Sequence, residues 1–385
     1  MQKITEKYLC SGCGTCYSAC PVQCISMCED SEGFLYPHID EKKCVGCGKC
    51  QRICPALKDI KGHPKGRAYA CISKNDDMRM RSSSGGIFTL IAEYIIRLGG
   101  VVFGAAYDNE LNVHHILVSS TEELYKLRGS KYLQSRIEDT YKTAENYLKN
   151  GNYVLFTGTP CQISGLKAYL EKDYERLITQ DIICHGVPTP KIWQKYLKHR
   201  VITADAEIDA LNPPLFRNKD TGWESFSVMV NFKKNKKYLQ IASKDLYMRA
   251  FLKNLCLRPS CYNCNFKSLE RESDITLADF WGVNTVCSDM SDNKGTSLVL
   301  INSAAGENIF KNISDKMIYK PVSIDEAVKY NPAACRACDF NKKRNAFMEE
   351  VTAENFDVIV KKYTKEISLK KYIFRAVKKV IRLIK

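Results

Sequence analysis

From residue 84 onward the apolar positions alternate between two rhythms. "SSSGGIFTLIAEYIIRLGG" opens on small polar residues, runs apolar at helical spacing and stops at a Gly-Gly pair, and "VVFGAAYD" follows as a strand. "NYVLFTGTPCQISGLKAYL" predicts strand, tight turn and helix, with Thr159 as the cap and Pro160 at the first helical position. "LITQDIICHGVPTPKIWQKYL" repeats that unit. Repeated strand, loop, helix units predict an α/β domain with at least partly parallel pairing. "FSVMVNFKKNKKYLQIA" alternates instead at period two and predicts an antiparallel hairpin turning near Lys234 to Lys237. The expected fold is therefore a mixed α/β core with an added antiparallel section.

The two flanks read differently. "KDIKGHPKGRAYAC" is polar and carries Gly62, Pro64 and Gly66, the composition of a linker. At the other end "SLKKYIFRAVKKVIRLIK" places Leu369, Tyr372, Ile373, Ala376, Val377, Val380, Ile381 and Ile384 at helical spacing, with seven Lys or Arg between them and no acid. That is a basic amphipathic helix, suited to an anionic membrane surface or to packing against the body or a partner. The chain is thus expected to divide into a module at 1–60, a linker at 61–82, the α/β domain at 83–345 and a helical basic tail at 346–385.

With 385 residues and 45% apolar composition there is room for a sizeable core. The net charge of +15 raises nucleic acid as a partner, but no run of bases is interleaved with aromatics along a groove-like face, so that class is set aside. No apolar run approaches the roughly eighteen residues of a spanning helix. The opening "MQKITEKYLC" has no apolar core of a secretory leader, which leads to the expectation of a reducing, cytoplasmic compartment, with the tail as a peripheral contact at the inner membrane face.

Nineteen cysteines change the picture most. "CSGCGTCYSACP" and "CVGCGKCQRICP" both follow CxxCxxCxxxCP, the bacterial two-cluster ferredoxin run, in which the fourth cysteine of each run serves the other run's cluster. One [4Fe-4S] cluster is expected on Cys10, Cys13, Cys16 and Cys54, and a second on Cys44, Cys47, Cys50 and Cys20. Glycines at 12, 14, 46 and 48 let the loops turn tightly. Zinc takes CxxC pairs separated by a spacer, and disulfides belong to oxidising compartments, so neither matches as well. Cys161, Cys184, Cys261 and Cys264 provide two loop cysteines and a CxxC pair, enough for a third cluster. Cys24, Cys28, Cys71, Cys256 and Cys287 read as small buried hydrophobes, and Cys335 and Cys338 receive no role. "SSSGG" and "TGTP" open helices with free backbone N–H groups, which suits the phosphates of a nucleotide cofactor such as FAD or merely starts a helix.

Taken in order, "SSSGGIFTLIA", "RGSKYLQS", "TGTPCQISGLKA", "DIICHGVPTPKIW" and "RPSCYNCNFKSLERESDITLADFWG", behind the double cysteine run, resemble the coenzyme F420 hydrogenase/dehydrogenase beta-subunit family over residues 8 to 345. The resemblance implies a flavin, usually FAD, fed by iron-sulfur clusters. It makes Ser84, Gly85, Gly86, Ser130, Lys131, Thr157, Gly158 and Thr159 the flavin-pocket candidates. It also supports Cys161, Cys184, Cys261 and Cys264 as cluster ligands. His185, in a loop after a strand end, becomes the candidate proton donor, and Asp279 and Trp281 either shape the pocket or pack the core. Ala278 stands where many relatives resembling this chain carry glycine. The implied activity is an oxidoreductase that passes electrons between ferredoxin or another one-electron carrier, or coenzyme F420, and an organic substrate. Similar chains accompany surface-polysaccharide synthesis, which would suit a membrane-seeking tail. The alternative of another class is a non-catalytic electron-transfer subunit of a larger redox complex.

Overall fold

Two short loops of cysteines organise the first sixty residues. In the computed structural model, which describes residues 4–59 and 62–365, helices α1 (Thr15–Ser18) and α2 (Lys49–Arg52) begin on Gly14 and Gly48. Gly12, Gly14, Gly46 and Gly48 all have φ between +67° and +78°, the left-handed region in which glycine alone avoids a Cβ penalty. Strand β1 (Ile25–Glu29) pairs antiparallel with β2 (Leu35–Ile39) beside them.

The expected linker at 61–82 is a correction. Strand β3 (Arg67–Ser73) and helix α3 (Asp76–Met80) occupy most of it. β3 lies inside the main sheet with Ala68, Ala70 and Cys71 buried. Its fully buried side chains, Ala68, Ala70, Cys71 and Ser73, are all small and give little hydrophobic signal. The Gly/Pro run that suggested a linker is a close approach of backbones: a Cβ on Gly66 would meet the Ile301 carbonyl oxygen at 1.7 Å.

The main sheet continues through β4 (Val101–Tyr107), β5 (Val113–Val118), β6 (Val154–Thr157) and β7 (Leu177–Ile182). A separate three-stranded antiparallel sheet follows, made of β8 (Leu215–Asn218), β9 (Ser227–Asn231) and β10 (Lys237–Ile241). Strands β11 (Ile275–Asp279), β12 (Ser297–Ile301) and β13 (Met317–Val322) then complete the large sheet in the order β13-β3-β12-β11-β7-β6-β4-β5. β4, β6, β7 and β11 run parallel, and the other neighbours are antiparallel. The mixed α/β expectation stands, as does the hairpin, which turns through Lys234 and Asn235 at positive φ.

Helix α4 (Ile87–Arg97) covers one face through Leu90, Ile91 and Ile95, packed on Val102 and Leu155. On the other face α5 (Thr140–Lys149) and α6 (Pro160–Leu170) bury Tyr141, Ile163 and Leu166 against Phe103 and Phe156. A third, aromatic-rich core gathers under α7 (Pro190–Ala204) and α8 (Leu246–Leu252) around Trp193, Tyr196 and Tyr247. The tail expected from residue 346 joins this core for its first part, because helices Arg344–Glu350 and Phe356–Thr364 bury Phe347, Val351, Phe356 and Val360. The basic amphipathic stretch from Leu369 to Ile384 lies outside the described residues. Among the described residues no helix is long and apolar enough to cross a membrane.

Candidate functional site

The two cysteine runs exchange their fourth members in space. Burial pushes the Cys16 thiol well above its ordinary value, and repulsion from Cys13, Cys10 and Cys54 adds to it. Cys54 is pushed up to about 11 by burial and then by Cys13 and Cys10. Cys20, Cys44, Cys47 and Cys50 line a common hollow at the surface, where Cys47 is exposed. Cys24, read from sequence as a small hydrophobe, also lines that hollow, its Sγ 3.4 Å from Cys20 Sγ.

A third group of thiols forms between the N-terminal module and the large domain. Cys161 opens α6, Cys184 follows β7, and Cys261 and Cys264 lie on a short turn at Pro259–Asn263 and just after it. All four line one cleft with Leu9, Ser11 and Ala56 of the N-terminal module. Cys184 and Cys261 are each pushed up to about 12, chiefly by burial and then by the other thiols of the group. Cys338 joins this group, its Sγ 3.4 Å from the Cys261 carbonyl oxygen. Thiols are the soft donors that iron-sulfur clusters take, although among the described residues no three Cys, His, Asp or Glu side chains stand in metal-holding geometry in this structure.

Helix α6 brings the module and this cleft together. Gln162 anchors its first turn by accepting from the Thr159 N–H at 2.9 Å. Thr15 Oγ1 donates to the Gly165 carbonyl oxygen at 2.9 Å. A Cβ on Gly165 would meet Thr15 Oγ1 at 2.7 Å and Cys13 Cβ at 3.0 Å, so α1 lies directly on the helix that carries Cys161.

Beside the cleft, at the carboxyl ends of the parallel strands, opens a cavity of about 310 Å³. Cofactor pockets run from about 300 to 1,000 Å³ and sit at this edge of parallel sheets. Ser84, Gly86, Ser130, Lys131, Thr157, Gly158 and Thr159 all line it. Gly85 does not; it lets the chain pass Cys71, whose carbonyl oxygen would lie 2.3 Å from a Cβ there. The serine loop is held from behind: Arg217 donates to the Ser83 carbonyl oxygen at 3.3 Å and Lys219 to that of Ser84 at 2.8 Å. Both side chains back the loop on which a phosphate is expected, Arg217 as a fixed cation and Lys219 pushed down to about 7 by burial. Lys131 donates from Nζ to the carbonyl oxygens of Leu127, Arg128 and Gly129 at 3.2–3.3 Å, while burial pushes it down to about 7.

Sequence reasoning missed three cavity residues. His115 is buried, with Nδ1 2.7 Å from Ser135 Oγ and Nε2 2.8 Å from the Thr157 carbonyl oxygen, and burial pushes it down to about 4. It stays neutral and fixes the end of β6. Gln180 Oε1 is buried against the cavity with no hydrogen-bond partner among the described residues, whereas the Ser11 hydroxyl, also on the cavity wall, is within reach of the Cys13 thiol. An unpaired buried acceptor is costly, so Gln180 fits a bound group that supplies the missing hydrogen bond. None of these had a sequence signal beyond residue type.

His185, expected as proton donor, turns elsewhere. Its Nε2 lies 2.7 Å from Asn254 Oδ1 and its ring meets Phe251 edge-on at 5.1 Å, away from the cavity wall. Asp279 lines the cavity and pairs with Arg217 at 2.9 Å, whereas Trp281 stacks on Trp223 at 5.0 Å and packs the core. Ala278 lines the cavity wall.

Three family models match. Two describe the coenzyme F420 hydrogenase/dehydrogenase beta subunit: the model of its C terminus matches residues 151–327, and that of its N terminus matches 68–141. A 4Fe-4S dicluster domain covers residues 9–57. No protein with a curated description matches. Among solved structures, a chain of the F420-reducing [NiFe] hydrogenase complex from Methanosarcina barkeri, studied by xenon derivatization, is 17% identical, with 75% of this chain and 93% of that one covered, at a TM-score of 0.46.

Proposed function

Since the chain belongs to the coenzyme F420 hydrogenase/dehydrogenase beta-subunit family and carries a 4Fe-4S dicluster domain in front, we propose that it is an iron-sulfur flavoprotein oxidoreductase. Electrons pass singly between a carrier and the cavity, where an organic substrate meets FAD. The observation that carries this reading is shared wall. Ser11, next to Cys10, and Cys161 line both the thiol cleft and the cavity. A cluster on Cys44, Cys47, Cys50 and Cys20 is the exposed end, where ferredoxin or a similar carrier would dock. One on Cys10, Cys13, Cys16 and Cys54 is internal, and one on Cys161, Cys184, Cys261 and Cys264 adjoins the cavity.

A bound flavin supplies the exchange between single electrons and a hydride. The chain's own residues bind and orient it. The serine loop, backed by Arg217 and Lys219, would take the phosphates, and Ser130 and Thr159 line the approach. Gln180 Oε1 would accept from a ring N–H. Lys131, poised near neutrality, would hold or release a proton at Nζ. A relay subunit has no use for an open chamber of this size, which favours the enzyme over the non-catalytic alternative.

Gln180→Leu separates this reading from a structural role. Removing an unpaired buried oxygen leaves the cofactor-free fold as stable or more so, while FAD affinity falls at least tenfold, about 1.4 kcal/mol. Titration calorimetry with FAD checks it. Unchanged affinity would remove Gln180 and this cavity from cofactor binding.

A further inference from the structure

Arg258, in "RPSCYNC", is wholly buried, and among the described residues no carboxylate lies within ion-pairing distance. Its guanidinium instead reaches from the large domain into the first cysteine loop. Nε donates to the Cys10 carbonyl oxygen at 2.7 Å, and one terminal nitrogen donates to Gln134 Oε1 at 2.9 Å. The other donates to the Leu35 carbonyl oxygen at 2.8 Å and faces Cys10 Sγ at 3.7 Å. The group lies over the ring of Tyr36 at 4.3 Å. A Cβ on Gly12 would meet it at 2.8 Å, so the loop's glycine is what admits it.

A buried cation without a counter-charge is expensive. We propose that the counter-charge of Arg258 is the cluster on Cys10, Cys13, Cys16 and Cys54, and that Arg258 thereby holds this cluster's reduction potential above that of the exposed one. Each electron added to a cluster adds negative charge. A fixed cation in a dry site therefore favours the reduced state, and an N–H aimed at a ligand sulfur acts in the same direction. In the other loop the one comparable contact among the described residues is made from solvent: Arg52 donates to the Cys47 carbonyl oxygen at 2.7 Å but is exposed, where water and salt screen its charge, and Lys49 is paired with Glu171 at 2.7 Å. Electrons arriving at the exposed cluster then move downhill toward the cavity. Arg258 is a positioning and tuning residue, and its role rests on the iron-sulfur reading proposed above.

The test is an EPR-monitored potentiometric titration of the iron-loaded full chain. In Arg258→Gln one cluster's reduction equilibrium shifts at least tenfold toward the oxidised form, about 59 mV for one electron, and the other clusters stay put. Arg258→Lys, which keeps the charge, recovers most of the shift. In unmutated protein labelled with guanidino-15N arginine, pulsed EPR shows nitrogen coupling on one reduced cluster; this measurement decides the matter if the Gln variant loads iron poorly. Unmoved midpoints in a fully loaded Gln variant, or no 15N coupling in the labelled chain, overturn the proposal alone. A wild type that holds no clusters overturns the iron-sulfur reading as well.

Discussion

His115 illustrates how single residues set this site without announcing themselves in sequence. The unfolded ring titrates near 6.5 and the buried ring only at about 4, so on acidification the unfolded chain takes up a proton first. The stability this residue confers is complete above pH 6.5 and is lost as pH falls toward 4. At pH 5.5 the loss is about 1.4 kcal/mol. Denaturant midpoints at pH 7.5 and 5.5 measure it, and His115→Asn is expected to remove that part of the slope; an equal slope in both proteins would show that the ring protonates in place. Cysteine positions were legible because cluster chemistry fixes their spacing locally, and the glycines between them followed. His115, Gln180 and Arg258 were not, because each acts through partners far along the chain, Arg258 through Cys10 at a separation of 248 residues. His185 was misplaced for the same reason: a histidine beside a strand end looks catalytic until Asn254, 69 residues on, claims its ring.

At the scale of elements, the strand, turn, helix units from Val101 to Ala204 were readable, since their apolar periods and caps are local. β3 escaped because Ala68, Ala70 and Cys71 pack by smallness under neighbouring backbones rather than by bulk. The stretch from residue 346 was expected to be helical, but the packing of Arg344–Glu350 and Phe356–Thr364 into the core escaped because their few apolar residues are spread through a charged stretch. They nonetheless cover Tyr196, whose ring centroid lies 5.7 Å from that of Phe356. Burying a side chain of the size of Phe347, Val351, Phe356 or Val360 contributes roughly 1.5–3 kcal/mol, against a total of about 5–15 kcal/mol for a domain. A chain ended at residue 345 is therefore expected to be recovered insoluble or to melt at least ~10 °C below the full chain. Equal melting temperatures by calorimetry would show that these helices are not part of the core.

For the whole molecule, the sequence signalled the parts and left their assembly open. The double cysteine run and the α/β units are separate local messages. What joins them is Gly165, which lets α1 rest on α6, together with Arg258 and the Arg344–Glu32 pair that ties the far helices to the N-terminal module. That junction brings the internal cysteine loop, the four thiols of the cleft and the cavity onto shared walls, and the proposed electron path depends on it. The most direct test is the content of the anaerobically purified and reconstituted chain. About twelve irons, as many acid-labile sulfides and one FAD per chain are expected, with the flavin bleaching once the clusters are reduced. Eight irons with no flavin, and none taken up on reconstitution, would contradict the account and leave a ferredoxin-like relay.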